Sequence, residues 1–278
     1  MLQVPDVIVE ANWLHENLEN SRLIILDATI KKVSSLPNKI LQHEQIKNSL
    51  FFDLKNTFSI QESKFPNTVL DASTFEVEAK KLGINLDSCI VVYDQVGIYS
   101  SPRVWWLFKL MGFENIAVLN GGFPQWKLNN YPITTKKINP LSIGNFVTKY
   151  HSSLCISKEK VFGSLLNNDS KVLDARSHCR FEGTSPEPRK GLPSGRIPYS
   201  SNIPFCEVLD DSRLKSKAEL EKIFKPFVSN SKIIFSCGSG ITACILALAY
   251  NYIGKYNFTV YDGSWTEWAS NVSLPKEL

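Results

Sequence analysis

The second half of the chain repeats the first. Three short anchors recur in the same order: Leu26-Asp27-Ala28 returns as Leu173-Asp174-Ala175, Ile46 with Ser49 as Ile197 with Ser200, and Leu119-Asn120-Gly121 with Trp126 as Tyr261-Asp262-Gly263 with Trp268. A repeat of this length exceeds the units of solenoid proteins, so it indicates two copies of one domain, for which 278 residues suffice. The polar stretch 133–140 lacks helical or strand periodicity and contains Pro140. We therefore predict domains over residues 1–135 and 151–278, joined by a linker over 136–150.

Each copy alternates short apolar runs with longer stretches of helical periodicity. In the second half, the runs at 172–173, 232–235 and 258–261 predict buried strands, while 217–227 and 242–253 predict helices. This alternation favours an α/β fold in which each domain is a parallel sheet flanked by helices. Such sheets bind ligands beyond the carboxyl ends of their strands.

Composition argues against several classes of function. The 31 basic and 27 acidic residues are spread along the chain and give a net charge of +4, so charge predicts no nucleic-acid partner. No apolar run approaches the length of a membrane span, and the first residues lack a signal-peptide pattern, so we expect a cytoplasmic protein with no membrane partner. The six cysteines include no Cys-x-x-Cys pair, so we expect mostly buried, free thiols, no metal site and no cofactor.

Cys237 lies where an apolar run meets a glycine-bearing loop. The segment 233–242 predicts a strand, then a tight turn, then a helix that begins near Thr242. Two glycines in this turn allow successive amides to point inward, and the helix adds the positive end of its dipole. Such a loop would stabilise negative charge on the sulfur. The alternative interpretation is a buried structural cysteine beside a tight turn.

The segment Cys-Gly-Ser-Gly-Ile-Thr-Ala at 237–243 resembles the active-site loop of the 3-mercaptopyruvate sulfurtransferases, a branch of the rhodanese superfamily. The stretch 261–268 is similar to the segment that follows this loop in the family, and 51–53, 101–106 and 119–126 are similar to family segments of the first half. The resemblance covers nearly the whole chain. It implies two tandem rhodanese-like domains, of which the second is catalytic.

Under this resemblance, Cys237 takes sulfur from the 2-oxo acid 3-mercaptopyruvate, releases pyruvate and carries the sulfur as a persulfide. The amides of the loop would stabilise that anion, in the manner of an oxyanion hole: Gly238, Ser239, Gly240, Ile241 and Thr242. Ser239 has a proton-handling role in the family, although a loop serine also commonly caps the following helix. The family implies thioredoxin or a small thiol as the sulfur acceptor.

Arginines precede this loop in the sequence and suit a carboxylate substrate. A planar guanidinium binds a carboxylate through two parallel hydrogen bonds, as a 2-oxo acid requires. Arg180 and Arg189 match the family's two substrate-binding arginines in motif and in separation, whereas an arbitrary loop arginine is usually solvated. Arg176 follows the predicted strand directly and is expected to pair with Asp174.

The first half departs from the second in its chemistry. Its counterpart of the cysteine loop, residues 91–97, contains no thiol, so only the second domain is predicted to carry sulfur. Gln45 replaces the histidine that the family usually has before its Phe-Phe-Asp segment, which argues against a proton relay there, and His43 is expected at the surface. Trp105 and Trp106 are expected in the core.

Other activities remain as alternatives. Thiosulfate-using rhodaneses resemble this fold but carry basic residues directly after the cysteine, so the neutral Gly238 and Ser239 predict that thiosulfate is a poor donor. Cysteine phosphatases end a related loop in an arginine, and this loop ends at Ala243. A sulfur-relay adaptor stays open, although the arginine pair favours an enzyme. An inert binding module leaves unexplained why the thiol occurs only in the second half.

Overall fold

A computed structural model describes residues 1–30, 44–140, 142–167, 170–228 and 232–278 of the chain. His43, which was expected at the surface, lies outside these residues. The chain forms two compact units. The first contains Met1–Ile60, Val69–His151 and Ser212–Leu214, and the second contains Gln61–Thr68, Ser152–Asp211 and Lys215–Leu278.

The first half of the chain forms a five-stranded parallel sheet. Its described strands are β1 (Ile8–Val9), β2 (Leu23–Asp27), β3 (Gln45–Ile46), β4 (Ser49–Phe51), β5 (Cys89–Tyr93), β6 (Ile116–Leu119) and β7 (Ile133–Thr134). Its described helices are α1 (Ala11–Glu16), α2 (Ala72–Lys81), α3 (Ser101–Leu110) and α4 (Gly122–Leu128). The sheet has the order β1-β6-β5-β2-β4, and β3 pairs with β7 separately in an antiparallel ladder.

The second half forms a sheet of the same kind. The described strands of this half are β8 (Cys155–Ile156), β9 (Ser170–Asp174), β10 (Ser201–Asn202), β11 (Leu209–Asp210), β12 (Arg213–Leu214), β13 (Lys232–Ser236) and β14 (Phe258–Tyr261). Of these, β11 and β12 pair with each other outside the main sheet. Its described α-helices are α5 (Lys158–Asn167), α6 (His178–Phe181), α7 (Lys217–Phe224), α8 (Ala243–Tyr252) and α9 (Ser264–Ser270). The parallel order β8-β14-β13-β9-β10 matches that of the first sheet strand for strand, so the duplication predicted from the sequence extends to the topology.

The central strands explain why the sequence favours this architecture. Every residue of β5 is buried, as are residues 233–236 of β13, because helices cover both faces of a parallel sheet. Helix α8, which follows β13, is buried from Ala243 to Tyr250. The apolar run, the loop and the helix therefore form one continuous core element that places the loop at the carboxyl end of the central strand.

Most of the predicted elements are confirmed, with small corrections. The predicted helix over 217–227 ends as an α-helix at Phe224, and Lys225–Phe227 is a 3-10 turn, because Pro226 has no N–H to continue the α-helical ladder. Residues 133–134 pair with β3, where no regular structure was expected, since a two-residue strand has no periodicity to detect. Trp105 and Trp106 are fully buried, as predicted. Within the described ranges, no helix has the length and apolarity that crossing a bilayer would require.

The cysteines are less buried than expected. All six are free thiols, and Cys89, Cys237 and Cys244 are buried. Cys179 and Cys206 are exposed, so the expectation of mostly buried thiols is wrong. The reason is local, because these two residues lie on the short helix α6 and on a 3-10 turn, each of which buries one residue and exposes another part of its surface to solvent.

Candidate active site

Cys237 directly follows β13, and its sulfur accepts a hydrogen bond from the loop that it begins. The residue is 2 % exposed. Gly240 has φ +77°, a left-handed conformation that glycine adopts without strain, and its amide donates to Cys237 Sγ at 3.1 Å. Ile241 is buried, and Thr242 immediately precedes α8. The loop thus turns an amide back onto the one thiol that ends the central strand of this unit.

The first turn of α9 holds the loop by its carbonyl oxygens. The amide of Trp265 donates to Cys237 O at 2.9 Å, and the amide of Thr266 donates to Gly238 O at 3.1 Å. These are amides of a helix N-terminus, which have no acceptor within their own helix. Because the C=O and N–H of a trans peptide point in opposite directions, the amides of Gly238 and Ser239 face away from α9.

Ser264 connects the two ends of the cysteine loop, and the sequence analysis did not identify it. Its Oγ accepts hydrogen bonds from Cys237 N at 3.1 Å and from Gly240 N at 3.2 Å, and lies 3.8 Å from Cys237 Sγ. Ser264 is fully buried and has φ +49°, which is rare for a residue with a side chain. The signals in the sequence were its place just after the predicted strand 258–261 and inside the family-like stretch 261–268.

Arg180 lies against the cysteine loop. A Cβ atom built on Gly238 would approach Arg180 Nη2 to 2.9 Å. The guanidinium is held in this place by Glu187, whose Oε1 accepts from Nε at 3.2 Å and whose Oε2 accepts from Nη2 at 2.5 Å. The Glu187 side chain is fully buried, while 23 % of the Arg180 side chain is exposed. Glu187 could not be identified from the sequence pattern, because an acidic residue in a polar loop is ordinarily solvated.

The buried Glu187 carboxylate also binds a second arginine, Arg176. Arg176 binds Asp174 through Nη2 at 2.7 Å, which confirms the predicted pairing, and it binds Glu187 through Nη1 at 2.8 Å. Its guanidinium also stacks over the ring of Trp265, 4.7 Å from the ring centroid. Arg176 and Arg180 thus share one buried glutamate, and the fully buried Arg176 has a structural role.

Arg189 contacts the loop two residues beyond the thiol. Its Nη2 donates to Ser239 Oγ at 3.1 Å, and its Nη1 donates to Thr266 Oγ1 at 3.3 Å. The structure therefore brings together, on one loop, the thiol and both arginines of the predicted set.

The corresponding loop of the first unit is built around a carboxylate. Asp94 follows β5 as Cys237 follows β13, and it accepts hydrogen bonds from a set of loop and helix amides, those of Val96, Tyr99, Ser100 and Ser101. Cys89 lies at the opposite end of β5, and burial raises the pKa of its thiol to about 11. The first unit thus keeps the anion-binding loop and fills it with its own side chain.

Chemically, the second unit offers a cysteine sulfur, an amide directed at that sulfur, and two guanidinium groups at the two residues that follow it. Amides can stabilise an anion on sulfur, and guanidinium groups can bind a carboxylate. This arrangement suits a small anionic substrate that reacts at sulfur.

Comparison with known proteins agrees with this chemistry. The rhodanese-like domain family matches residues 10–129 and 160–271. A thiosulfate/3-mercaptopyruvate sulfurtransferase of Arabidopsis thaliana is 36 % identical over 96 % of this chain and 85 % of its own length. The crystal structure of a 3-mercaptopyruvate sulfotransferase of Escherichia coli superposes with a TM-score of 0.84 at 29 % identity, covering 94 % of this chain and 99 % of that one.

A third similar protein is the sub-stoichiometric sulfur transferase subunit of yeast mitochondrial complex I. It is 32 % identical, covers 98 % of this chain and 99 % of its own, and superposes with a TM-score of 0.86. Two matched domains and relatives that align over nearly the full length establish the kinship. The chain belongs to the rhodanese family, in its two-domain sulfurtransferase branch.

Proposed function

We propose that this protein transfers sulfur from 3-mercaptopyruvate to a thiol acceptor through a persulfide on Cys237. The observation that carries the proposal is the meeting of three groups on one loop: Cys237 Sγ with its Gly240 amide, Arg180 against Gly238, and Arg189 on Ser239. A donor with a carboxylate and a reactive sulfur matches all three. The names of the Arabidopsis and Escherichia coli relatives support the same donor.

The reaction has two steps. The Cys237 thiolate attacks the sulfur of 3-mercaptopyruvate, so that an S–S bond forms while the C–S bond breaks and its electron pair passes to the 2-oxo group as an enolate. The proton of the transferred sulfur moves to the enolate carbon, so pyruvate leaves and Cys237 keeps a persulfide anion. The thiolate of the acceptor then attacks the outer sulfur, which restores the Cys237 thiolate and leaves the acceptor as a persulfide.

The loop supports both the substrate and the intermediate. Arg180 and Arg189 bind the carboxylate, which places the substrate sulfur over Cys237. The amide of Gly240, together with those of Gly238 and Ser239 that face away from α9, stabilises the persulfide anion. For the acceptor we propose thioredoxin or a small thiol, and for the compartment the reducing cytoplasm, in which six free cysteines would persist.

The proposal is tested by measuring the intact mass of the protein after addition of 3-mercaptopyruvate. We expect a gain of one sulfur atom, reversed by dithiothreitol, with stoichiometric pyruvate in solution. The matched control is Cys237→Ser, which should gain no mass. A wild-type protein that releases pyruvate without gaining a thiol-labile sulfur would refute the persulfide route.

Thiosulfate is the second donor to examine, because the Arabidopsis relative is named for both donors. In this chain the two residues after Cys237 are neutral, so the thiosulfate dianion has only Arg180 and Arg189 as cationic partners among the groups shown to contact the loop. We therefore expect sulfur loading from thiosulfate to be slower than from 3-mercaptopyruvate at equal concentration. Faster sulfur loading from thiosulfate would contradict this expectation and make thiosulfate the preferred donor.

A role as a sulfur relay is the second candidate function, and the similarity to the yeast complex I subunit favours it. A relay receives sulfur from a protein persulfide and does not need arginines for a free oxo acid. To distinguish the two functions, the rate of sulfur loading of Cys237 from 3-mercaptopyruvate is compared with the rate from a persulfidated cysteine desulfurase. Loading from the protein alone would establish the relay.

A further inference from the structure

A segment from the first half of the chain contributes to the site of the second unit. Residues Gln61–Thr68 belong to that unit. Within this segment, Asn67 is 5 % exposed and has φ +63°, a left-handed conformation that asparagine tolerates better than most residues. Its Nδ2 donates to Ser239 O at 3.0 Å and to Ser239 Oγ at 3.2 Å.

These contacts fix the chemical identity of the atom that faces Ser239. The two ends of an asparagine amide are easily interchanged, but a backbone carbonyl oxygen can only accept a hydrogen bond. The atom beside Ser239 O must therefore be the NH₂ group of Asn67, and the same group lies beside Ser239 Oγ. The second partner of that hydroxyl is Arg189 Nη2, which also can only donate.

Ser239 Oγ therefore receives two donors. A hydroxyl oxygen has two lone pairs and one hydrogen, so both of its acceptor positions are occupied by Asn67 and Arg189. The hydroxyl hydrogen must point elsewhere, and among the described residues no acceptor for it is recorded. Neither neighbour can take up that hydrogen, because an amide NH₂ group and a guanidinium have no basic lone pair.

We propose that Asn67 is a positioning residue that, with Arg189, turns the Ser239 hydroxyl into an obligate hydrogen-bond donor to the 2-oxo group of the substrate. This inference rests on the proposed function. As the C–S bond breaks, the 2-oxo oxygen gains the negative charge of the enolate, and a donor already aimed at it stabilises that charge without reorientation. Ser239 then acts by donating a hydrogen bond and does not relay its proton through these two neighbours.

The test replaces the hydrogen-bond donor at position 67 with an acceptor. Asn67→Asp keeps the size and the tolerance for positive φ, but it loses the hydrogen bond to the Ser239 carbonyl oxygen, and its carboxylate accepts the Ser239 hydroxyl hydrogen and draws it away from the substrate. We expect kcat for pyruvate release to fall by about tenfold or more, since outright loss of such a donor costs about 10²–10³. Asn67→Gly, which fits the backbone and leaves the hydroxyl only one donor, should lose less, about threefold.

Asn130→Asp is the matched control, because Asn130 is exposed, has φ +55° and lies beyond the end of α4 in the first unit. It should keep wild-type kcat. A serine that worked as a general base or in a proton relay would gain basicity from a neighbouring carboxylate. A kcat for Asn67→Asp equal to or above that of the wild type would therefore overturn the proposal.

A double-mutant cycle separates the hydroxyl from the charge that aspartate adds. Ser239→Ala alone should lower kcat by about a hundredfold. In that background Asn67→Asp should cost at most about a further threefold, because the hydroxyl through which it acts is gone. An undiminished loss in the Ser239→Ala background would assign the effect to charge or to folding and would also overturn the proposal. Failure of the proposed function looks different, since the wild-type protein would then form no persulfide from 3-mercaptopyruvate.

Discussion

Gly238 shows how the absence of one side chain lets a guanidinium lie against the loop, next in sequence to Cys237. The Cβ of any other residue would come within 2.9 Å of Arg180 Nη2, closer than such contacts allow. The obstructing atom is the end of a flexible side chain, so the fold can adapt by moving Arg180 off the loop. That movement would break its paired hydrogen bonds with Glu187.

We predict that Gly238→Ala raises KM for 3-mercaptopyruvate by about tenfold, which corresponds to the loss of one charge-assisted hydrogen bond. Sulfur loading of Cys237 at saturating substrate should change much less. The control is Gly163→Ala on α5, where an added Cβ meets no atom within 4 Å. Steady-state kinetics of the two variants make the comparison, and an unchanged KM for Gly238→Ala would show that Arg180 does not bind the substrate.

At the scale of elements, the turn between β14 and α9 shapes the cysteine loop. Ser264 Oγ accepts from two loop amides, and the first amides of α9 bind two loop carbonyls. The neighbouring strands β13 and β14 run in parallel, so their carboxyl ends and the turns after them lie at one edge of the sheet. The loop therefore depends on an adjacent element for its shape.

We predict that Ser264→Ala lowers the free energy of unfolding by about 1–3 kcal/mol, because two buried amides lose an acceptor. It should also lower kcat by about tenfold, since the loop amides would no longer be held toward the sulfur. Ser273→Ala, at an exposed position just beyond the end of the same helix, should change neither quantity appreciably. Urea denaturation measures the change in stability, and steady-state kinetics measure the change in kcat. A Ser264→Ala protein with wild-type kcat would show that the turn between β14 and α9 does not contribute to catalysis.

For the whole molecule, duplication produced two similar folds but only one sulfur carrier. In the first unit the loop amides are already bound to the Asp94 carboxylate, and in the second the equivalent place holds a thiol. A carboxylate cannot accept sulfur, so the first unit has the anion-binding loop without the nucleophile. The exposed thiols of Cys179 and Cys206 have no such loop amide recorded on them within the described residues.

We predict one transferable sulfur atom per chain. The variant Cys179→Ser/Cys206→Ser should load as much sulfur from 3-mercaptopyruvate as the wild type, because neither thiol takes part. Mass spectrometry of the intact protein and of its tryptic peptides measures the amount and the position. A loss of half the sulfur in this variant, or a persulfide on another cysteine, would mean that the chain uses a second carrier.

Local patterns along the chain were enough to predict the strands, the cysteine loop and the nearest ion pair. Burial on both faces makes the strands continuous apolar runs, and the order of strand, glycine loop and helix around Cys237 follows from residues adjacent in the chain. The pairing of Arg176 with Asp174 was predictable because the two lie two positions apart. Arg180 and Arg189 were selected by resemblance, and their place beside the loop was visible only after folding.

The distant residues that complete the site could be identified only from the folded chain. Asn67 and Ser239 are 172 positions apart, and Ser264 lies 27 positions from Cys237. Polar residues in loops look alike in a sequence, because a hydrogen bond depends on distances of a few tenths of an ångström and leaves no periodicity. The packing of β14 beside β13, and of the 61–68 segment on the cysteine loop, sets those distances.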